Sequence, residues 1–533
     1  MYKKFRPLII VFIGMLLFAS CQDDLDLKPE DTRETSASVF ENPESYQLFM
    51  AKLYAGLSLS GQQGPSGQPD LQGLDEGFSN YMRLYFMMQE LPTDEAVIGW
   101  NDGTIADLHA QNWTSGNEFI RTMYSRIMYQ VALTNEFLRQ TEDAVLDGRG
   151  VDGELKADIQ QYRAEARFLR ALSYYHAMDL FGNPPFVTEE SPIGAFLPEQ
   201  IQRADLFTYI ETELLAIENE IIAPRENEYG RADRAAVWML LSKMYLNAEV
   251  YTGTDRYADV ITYTTKITGA GFSIPADMPY QNLFLADNDT NGAQNEVIFP
   301  ITFDGLNTQS YGGMTFIIHA SVGGTMVPAD FGVSSGWAGF RTTPQLVDKF
   351  PDGAESADSR AIFHADGQNK EINSISSFTD GYAVAKYKNV DVNGDQGSDS
   401  SGEFPDTDFP MFRLGDTYLM YAEAVLQGGG GTKGQAVTYI NQLRERAYGN
   451  SSNNITEANL TMDFILNERA RELYWEAHRR TDLIRFNQFT ENGIWAFKGG
   501  VPQGSTTPAF RNIFPIPASD LGVNTNLTQN QGY

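Results

Sequence analysis

One stretch limits what this chain can fold into more than any other: RAEARFLRALSYYHAMDLFGNPP, from Arg163 to Pro185. Ala164, Phe168, Ala171, Leu172, Tyr175 and Met178 recur at steps of three and four, which draws one apolar stripe down a helix. Gly182 supplies a C-cap, and Pro184-Pro185 cannot continue the helix. The alanines keep the stripe thin, so that a second helix can approach closely. The same period returns after Asn42-Pro43, through Tyr46, Phe49, Met50, Leu53 and Tyr54. It returns again over residues 81–89, 117–140, 204–222, 231–248, 257–268, 414–426, 435–447 and 462–477. Such segments, several joined by short loops, predict a mainly α scaffold of tetratricopeptide-like helical hairpins. Trp238 and Trp475 fall on these stripes and are expected in the core.

The period breaks in places. Residues 60–77 and the stretch LPTDEAVIGWND read as irregular. From 282 to 409 short apolar runs such as Val297-Ile298-Phe299 and Phe316-Ile317-Ile318 stand among Gly, Asn, Asp and Ser, which predicts a loop-rich insertion with a few short β-strands. The expected organisation is therefore a leader over 1–20 and one domain over 21–533. Within that domain the helical parts are about 41–281 and 410–509, the insertion about 282–409, and the loop-like tail 510–533.

The leader reads as an export signal. Lys3, Lys4 and Arg6 precede an apolar run from Leu8 to Ala19, too short to span a bilayer comfortably. Cys21, the only cysteine, follows Ala19-Ser20, so no disulfide can form within the chain. With 39 basic against 70 acidic residues the formal charge is −31. That argues against nucleic acid or an anionic membrane as the ligand.

Enzyme signatures are missing. The five histidines show no HExxH spacing, and no Gly-x-Ser-x-Gly elbow or Walker loop occurs. No cofactor is expected. Asp391, Asn393 and Asp395 place oxygens at alternate positions as a calcium loop would, but Gln396 stands where such a loop has glycine, which favours a plain polar turn. Trp100 and Trp337 lie in Gly-rich, polar surroundings, and Tyr311 precedes Gly312-Gly313. Flat rings in irregular segments suit the apolar C–H face of a pyranose, and carboxylates, amides and guanidinium groups suit its hydroxyls.

Several motifs occur together and in order: the 163–185 helix, GRADRAAVWMLLSKMYLNA, FRLGDTYLMYAEAV, INQLRERAY, ILNERARELYWEAHRRTDLIRF and FPIPASDLGVNTNLTQNQGY. As a set they resemble the SusD/RagB family of outer-membrane lipoproteins. The resemblance implies that Cys21 is lipidated and that the acidic Asp23-Asp24 directs display on the cell surface. It also implies a glycan-binding protein that hands its ligand to a TonB-dependent transporter. PDLQGLDEG, ELPTDEAVIGW, YGGMTF and SSGW are similar to the starch-binding branch in particular. Carried over by position, the implied glycan site is Asp75, Arg83, Trp100, Tyr311 and Trp337, with Asn101 beside Trp100. The branch has an Asn where this chain has Gly103, and a second Trp where it has Ile98. Another glucan, or a peptide, is the alternative ligand.

Overall fold

The computed structural model describes residues 36–71, 75–275 and 277–533. The expected leader and Cys21 lie outside the described residues, as do Gln72 to Leu74 of the PDLQGLDEG motif. The chain divides into two units, Met1–Gln47 and Leu48–Tyr533. In the first, Tyr46 packs on Phe40 at 5.1 Å and donates its hydroxyl to the Phe40 carbonyl.

Helices dominate. In chain order they include α1 (Glu44–Ser58), α2 (Tyr81–Glu90), α3 (Glu118–Gln140), α4 (Gly153–Phe181), α5 (Arg203–Ile217), α6 (Arg234–Leu246) and α7 (Tyr257–Thr268). After the insertion come α9 (Leu414–Leu426), α10 (Lys433–Tyr448), α11 (Met462–Leu473) and α12 (Arg479–Arg485), with α8 (Gly313–Ser321) inside it. Their ends are chemically marked. Asn117 accepts the Phe119 and Ile120 amides at the start of α3, and Asp233 accepts those of Ala235 and Ala236 at the start of α6. Gly182 closes α4 with φ 71°, a left-handed backbone that favours glycine. The thin stripe of α4 packs against α3 on one side and α5 on the other, and α7 packs on both α6 and α9. This is the tetratricopeptide-like scaffold the periodicity predicts.

Strands are few and paired in twos: β1 (Val97–Ile98) with β3 (Phe340–Arg341), β2 (Val297–Ile301) with β6 (Phe409–Arg413), and β4 (Phe363–His364) with β5 (Ala383–Val384), all antiparallel. Four expectations need correction. Phe316-Ile317-Ile318 is not a strand but the middle of α8, a helix of only two turns, too short to display a period. α11 stops at Leu473, because Trp475 and Ala477 adopt φ of 61° each. Trp238 is only half-buried and donates its Nε1–H to Glu218 at 2.7 Å, so it caps the helix surface. The tail is not loop throughout but carries a short helix at Ala518–Val523, and it packs on the body: Phe514 lies 4.6 Å from the Trp113 ring, whose Nε1–H reaches the Tyr533 hydroxyl at 2.6 Å.

The insertion is fastened to the helices by a cluster of buried charges. Arg413, at the end of β6, donates to Glu476 at 2.5 and 2.8 Å, to Glu296 at 2.8 Å and to Glu472 at 2.8 Å. Arg446 of α10 donates to the same Glu296 and Glu472. From the insertion, Arg360 reaches Glu468 and Glu472 of α11, and Lys386 reaches Glu476 at 2.7 Å. The Arg360, Lys386, Arg413, Glu296 and Glu472 side chains are wholly excluded from solvent. Burial alone would push the Glu476 carboxyl up, but the charges of Arg413 and Lys386 outweigh it and bring it down to about 2. Every cation here is matched, which is the condition under which buried charge is tolerated. An Arg413→Ala variant leaves Glu296, Glu472 and Glu476 short of a shared partner. We expect it to lose about 3–5 kcal/mol of stability, seen as an earlier midpoint in urea unfolding than for Lys433→Ala on the surface.

Candidate functional site

Asn80 brings together two segments that are more than two hundred residues apart in sequence. Its side-chain oxygen caps α2 by accepting the Arg83 amide at 3.0 Å, and also accepts the Gly313 amide at the start of α8 at 3.0 Å. A Cβ on Gly312 would stand 2.1 Å from that of Asn80, so only glycine permits the junction. Tyr311 is thereby set beside Glu76, whose buried carboxylate accepts the Tyr311 amide at 3.2 Å. Burial raises the Glu76 carboxyl above its ordinary value, against the hydrogen bonds from Ser310 and Tyr311 that lower it.

A second junction sets the tryptophans. Asp94 is gripped by Arg479 through two bonds of 2.6 and 2.8 Å, and Glu95 accepts the Trp475 amide at 3.2 Å. The chain then enters β1, pairs with β3, and presents Trp100. On the opposite strand the residues before β3 run along the end of α8: the amides of Trp337, Ala338 and Gly339 donate to the carbonyls of His319, Val322 and Ala320. Trp100 crosses over and donates its Nε1–H to the Trp337 carbonyl at 3.1 Å. Its indole lies on Gly339, where a Cβ would stand 2.6 Å from the ring.

The outcome is one continuous aromatic track. Tyr311 and Trp337 have centroids 6.4 Å apart and inclined by 49°, and Trp337 and Trp100 are 6.5 Å apart at 41°. All three residues are half-buried. Neighbouring rings are thus inclined to one another rather than coplanar. Asp75 and Asn101 stand exposed near its two ends, beside Tyr311 through Glu76 and beside Trp100 respectively.

Arg83 takes a different place from the other site residues carried over by resemblance. Its side chain is 3% exposed, between Phe78 at 4.4 Å and Phe316 at 4.0 Å. Its guanidinium makes no hydrogen bond to another described residue, and its Nε is buried without a partner. Burial brings its pKa down to about 9, opposed by Asp75, Asp102 and Glu76. Arg83 thus underlies the track through Phe316, which sits 5.9 Å from Trp100.

Sequence reasoning missed the backing layer: Phe316, His319 stacked on Trp337 at 4.6 Å, and Phe404 at 5.6 Å from Tyr311. Gly103 also finds its reason. It has φ 49°, and a Cβ there would lie 1.5 Å from the Glu118 carboxylate, so a side chain at that position is strained and must displace Glu118. At 391–395 the Asp391 carboxylate accepts the Asn393 and Asp395 amides at 2.8 and 2.9 Å, the bonding of a self-closed polar turn. Among the described residues no group of three His, Cys, Asp or Glu side chains is placed to hold a metal ion.

The model of the SusD family matches residues 355–533. Across 96% of its length the chain is 36% identical to the starch-binding protein SusD of Bacteroides thetaiotaomicron, of which it covers 96%. The chain belongs to the SusD family. It is also 23% identical to a SusD-like protein of Bacteroides ovatus, over 94% of this chain and 86% of that one. Among solved structures, surface glycan-binding protein A from Bacteroides thetaiotaomicron in complex with laminarihexaose shares the fold, with a TM-score of 0.69 at 18% identity over 91% of this chain and 99% of the other. The first of these relatives is named for binding, and the sequence carries none of the enzyme signatures sought.

A Gly339→Ala variant tests how the track is built. Its methyl group must displace the Trp100 indole, so the near-ultraviolet dichroism of the Trp100–Trp337 pair should weaken while the far-ultraviolet helical signal stays. An unaltered near-ultraviolet spectrum would contradict the geometry.

Proposed function

We propose that the protein captures an α-glucan, starch or a maltooligosaccharide, on the track of Tyr311, Trp337 and Trp100. It does so as a lipid-anchored protein of the outer cell surface and passes the ligand to a TonB-dependent outer-membrane transporter. The observation that supports this reading is that the rings are inclined to one another, by 49° and 41°, rather than coplanar as a flat β-linked ribbon would ask. The 36% identity to a protein named for starch binding supports the same ligand.

Each ring that removes roughly 40–60 Å² of apolar sugar surface from water contributes about 1–1.5 kcal/mol. Three rings and a few hydrogen bonds to Asp75 and Asn101 give a dissociation constant of very roughly 0.01–1 mM. Such weak binding suits a protein that must release its ligand to a transporter. Membership of the SusD family supports an outer-membrane location, with lipid at Cys21 as the attachment; among the described residues no helix is long and apolar enough to cross a membrane.

Native gels cast with starch, laminarin or dextran separate the candidate ligands. We expect retardation in starch, largely abolished in Trp100→Ala and Trp337→Ala. Free migration of the unaltered protein in starch, or equal retardation in laminarin, would refute the α-glucan assignment.

A further inference from the structure

Trp337 is the middle ring of the track, and the structure shows what fixes it. Behind it lies His319, in the last turn of α8 and fully excluded from solvent. The imidazole stacks on the indole at 4.6 Å and 26°. Each of its ring nitrogens meets a backbone carbonyl: Nδ1 is 2.8 Å from Ser335 O, and Nε2 is 2.9 Å from Glu403 O. These carbonyls belong to different loops. One loop carries Trp337; the other carries Phe404, which packs on Tyr311. The loops are also joined directly, by the Ser334 amide to Gly402 O at 2.8 Å and the Ser334 hydroxyl to the Glu403 carboxylate at 3.1 Å.

We propose that His319 is the positioning residue of the glycan site: it clamps the two loops that carry Trp337 and the support of Tyr311, and so sets the inclination between these rings. The inference rests on the reading of the track as the glycan platform. No ligand touches His319; it acts through the indole in front of it and the two peptide groups beside it.

The clamp has an unusual proton requirement. A neutral imidazole carries one N–H and can donate to only one of two carbonyls, whereas the imidazolium donates to both. Burial in an apolar site opposes the charge and lowers the ring's pKa, while the carbonyls of Glu403 and Ser335 favour the charge. The charged group that acts on the ring is the Glu403 carboxylate, which also favours the imidazolium. At neutral pH the ring is therefore neutral with one bond made. In acid it gains the second bond and becomes a cation stacked on Trp337.

Two variants of the full mature chain test the role. His319→Phe keeps a flat ring behind the indole but removes both ring nitrogens that face the two loops; His319→Gln retains a donor for one carbonyl and serves if the first does not fold. By calorimetry we expect His319→Phe to bind maltoheptaose roughly 5–20-fold more weakly, the worth of one to two buried hydrogen bonds. Maltose, which covers fewer rings, should lose less, and His319→Gln should fall between. A ligand-free reading is independent of the glucan assignment. Tryptophan emission of the unaltered protein should drop as the pH falls below the ordinary imidazole range and the imidazolium forms against Trp337, and that component should vanish in both His319→Phe and Trp337→Phe. If the unaltered protein binds no maltoheptaose, the glucan reading fails while the emission still decides the role of His319. Full maltoheptaose affinity in a folded His319→Phe, or acid quenching that persists in it, would overturn the proposal.

Discussion

The structure depends on the buried bonds of Arg413. This one guanidinium joins the end of β6 to Glu296, which precedes β2, and to Glu472 and Glu476 at the end of α11. Arg360 and Lys386 bring the insertion to the same carboxylates. Apolar contacts alone would hold an irregular segment of this length poorly, because its backbone has few ladder bonds of its own. Directional, fully matched charges fix it in one arrangement, though ion pairs of this kind contribute more to specificity of packing than to net stability.

From this cluster the order passes to the site through two short connections. α11 ends two residues before Trp475, whose amide and indole both donate to Glu95, and Arg479 then grips Asp94. These bonds aim β1 and hence Trp100. Trp475 also stacks edge-on against Phe340 of β3 at 5.5 Å, and Phe340 meets Phe316 at 5.0 Å. An aromatic layer therefore runs from the helical core to the underside of the track. Loops supply the rings and buried scaffold groups fix them, so a site made of irregular backbone can still be pre-shaped for weak binding without a large ordering cost.

The scaffold was legible because helices write their burial into a short period. The stripe from Ala164 to Met178 and the boundaries Tyr257–Thr268 and Leu414–Leu426 follow from local spacing. Trp100, Trp337 and Tyr311 stood out by their Gly-rich, polar surroundings, but only the resemblance grouped them as one candidate site. Nothing local says that Trp100 lies on Gly339 or that Trp337 lies on His319, because these contacts cross long sequence gaps. The buried state of Arg83 was hidden for the same reason: its neighbour Phe316 comes from α8, whose nine residues carry no readable period. The end of α11 was misjudged because the left-handed residues Trp475 and Ala477 are neither glycine nor asparagine, and only the tertiary bonds to Glu95 and Glu90 hold them there.

The central claim is that three separately supported rings act as one platform. Calorimetry across maltooligosaccharides of increasing length addresses it most directly. The account predicts affinity that climbs with each added glucose until the ligand spans Tyr311, Trp337 and Trp100, and then levels off. Equal affinity for maltose and for the longest chain would mean that a single ring binds alone, and would contradict it.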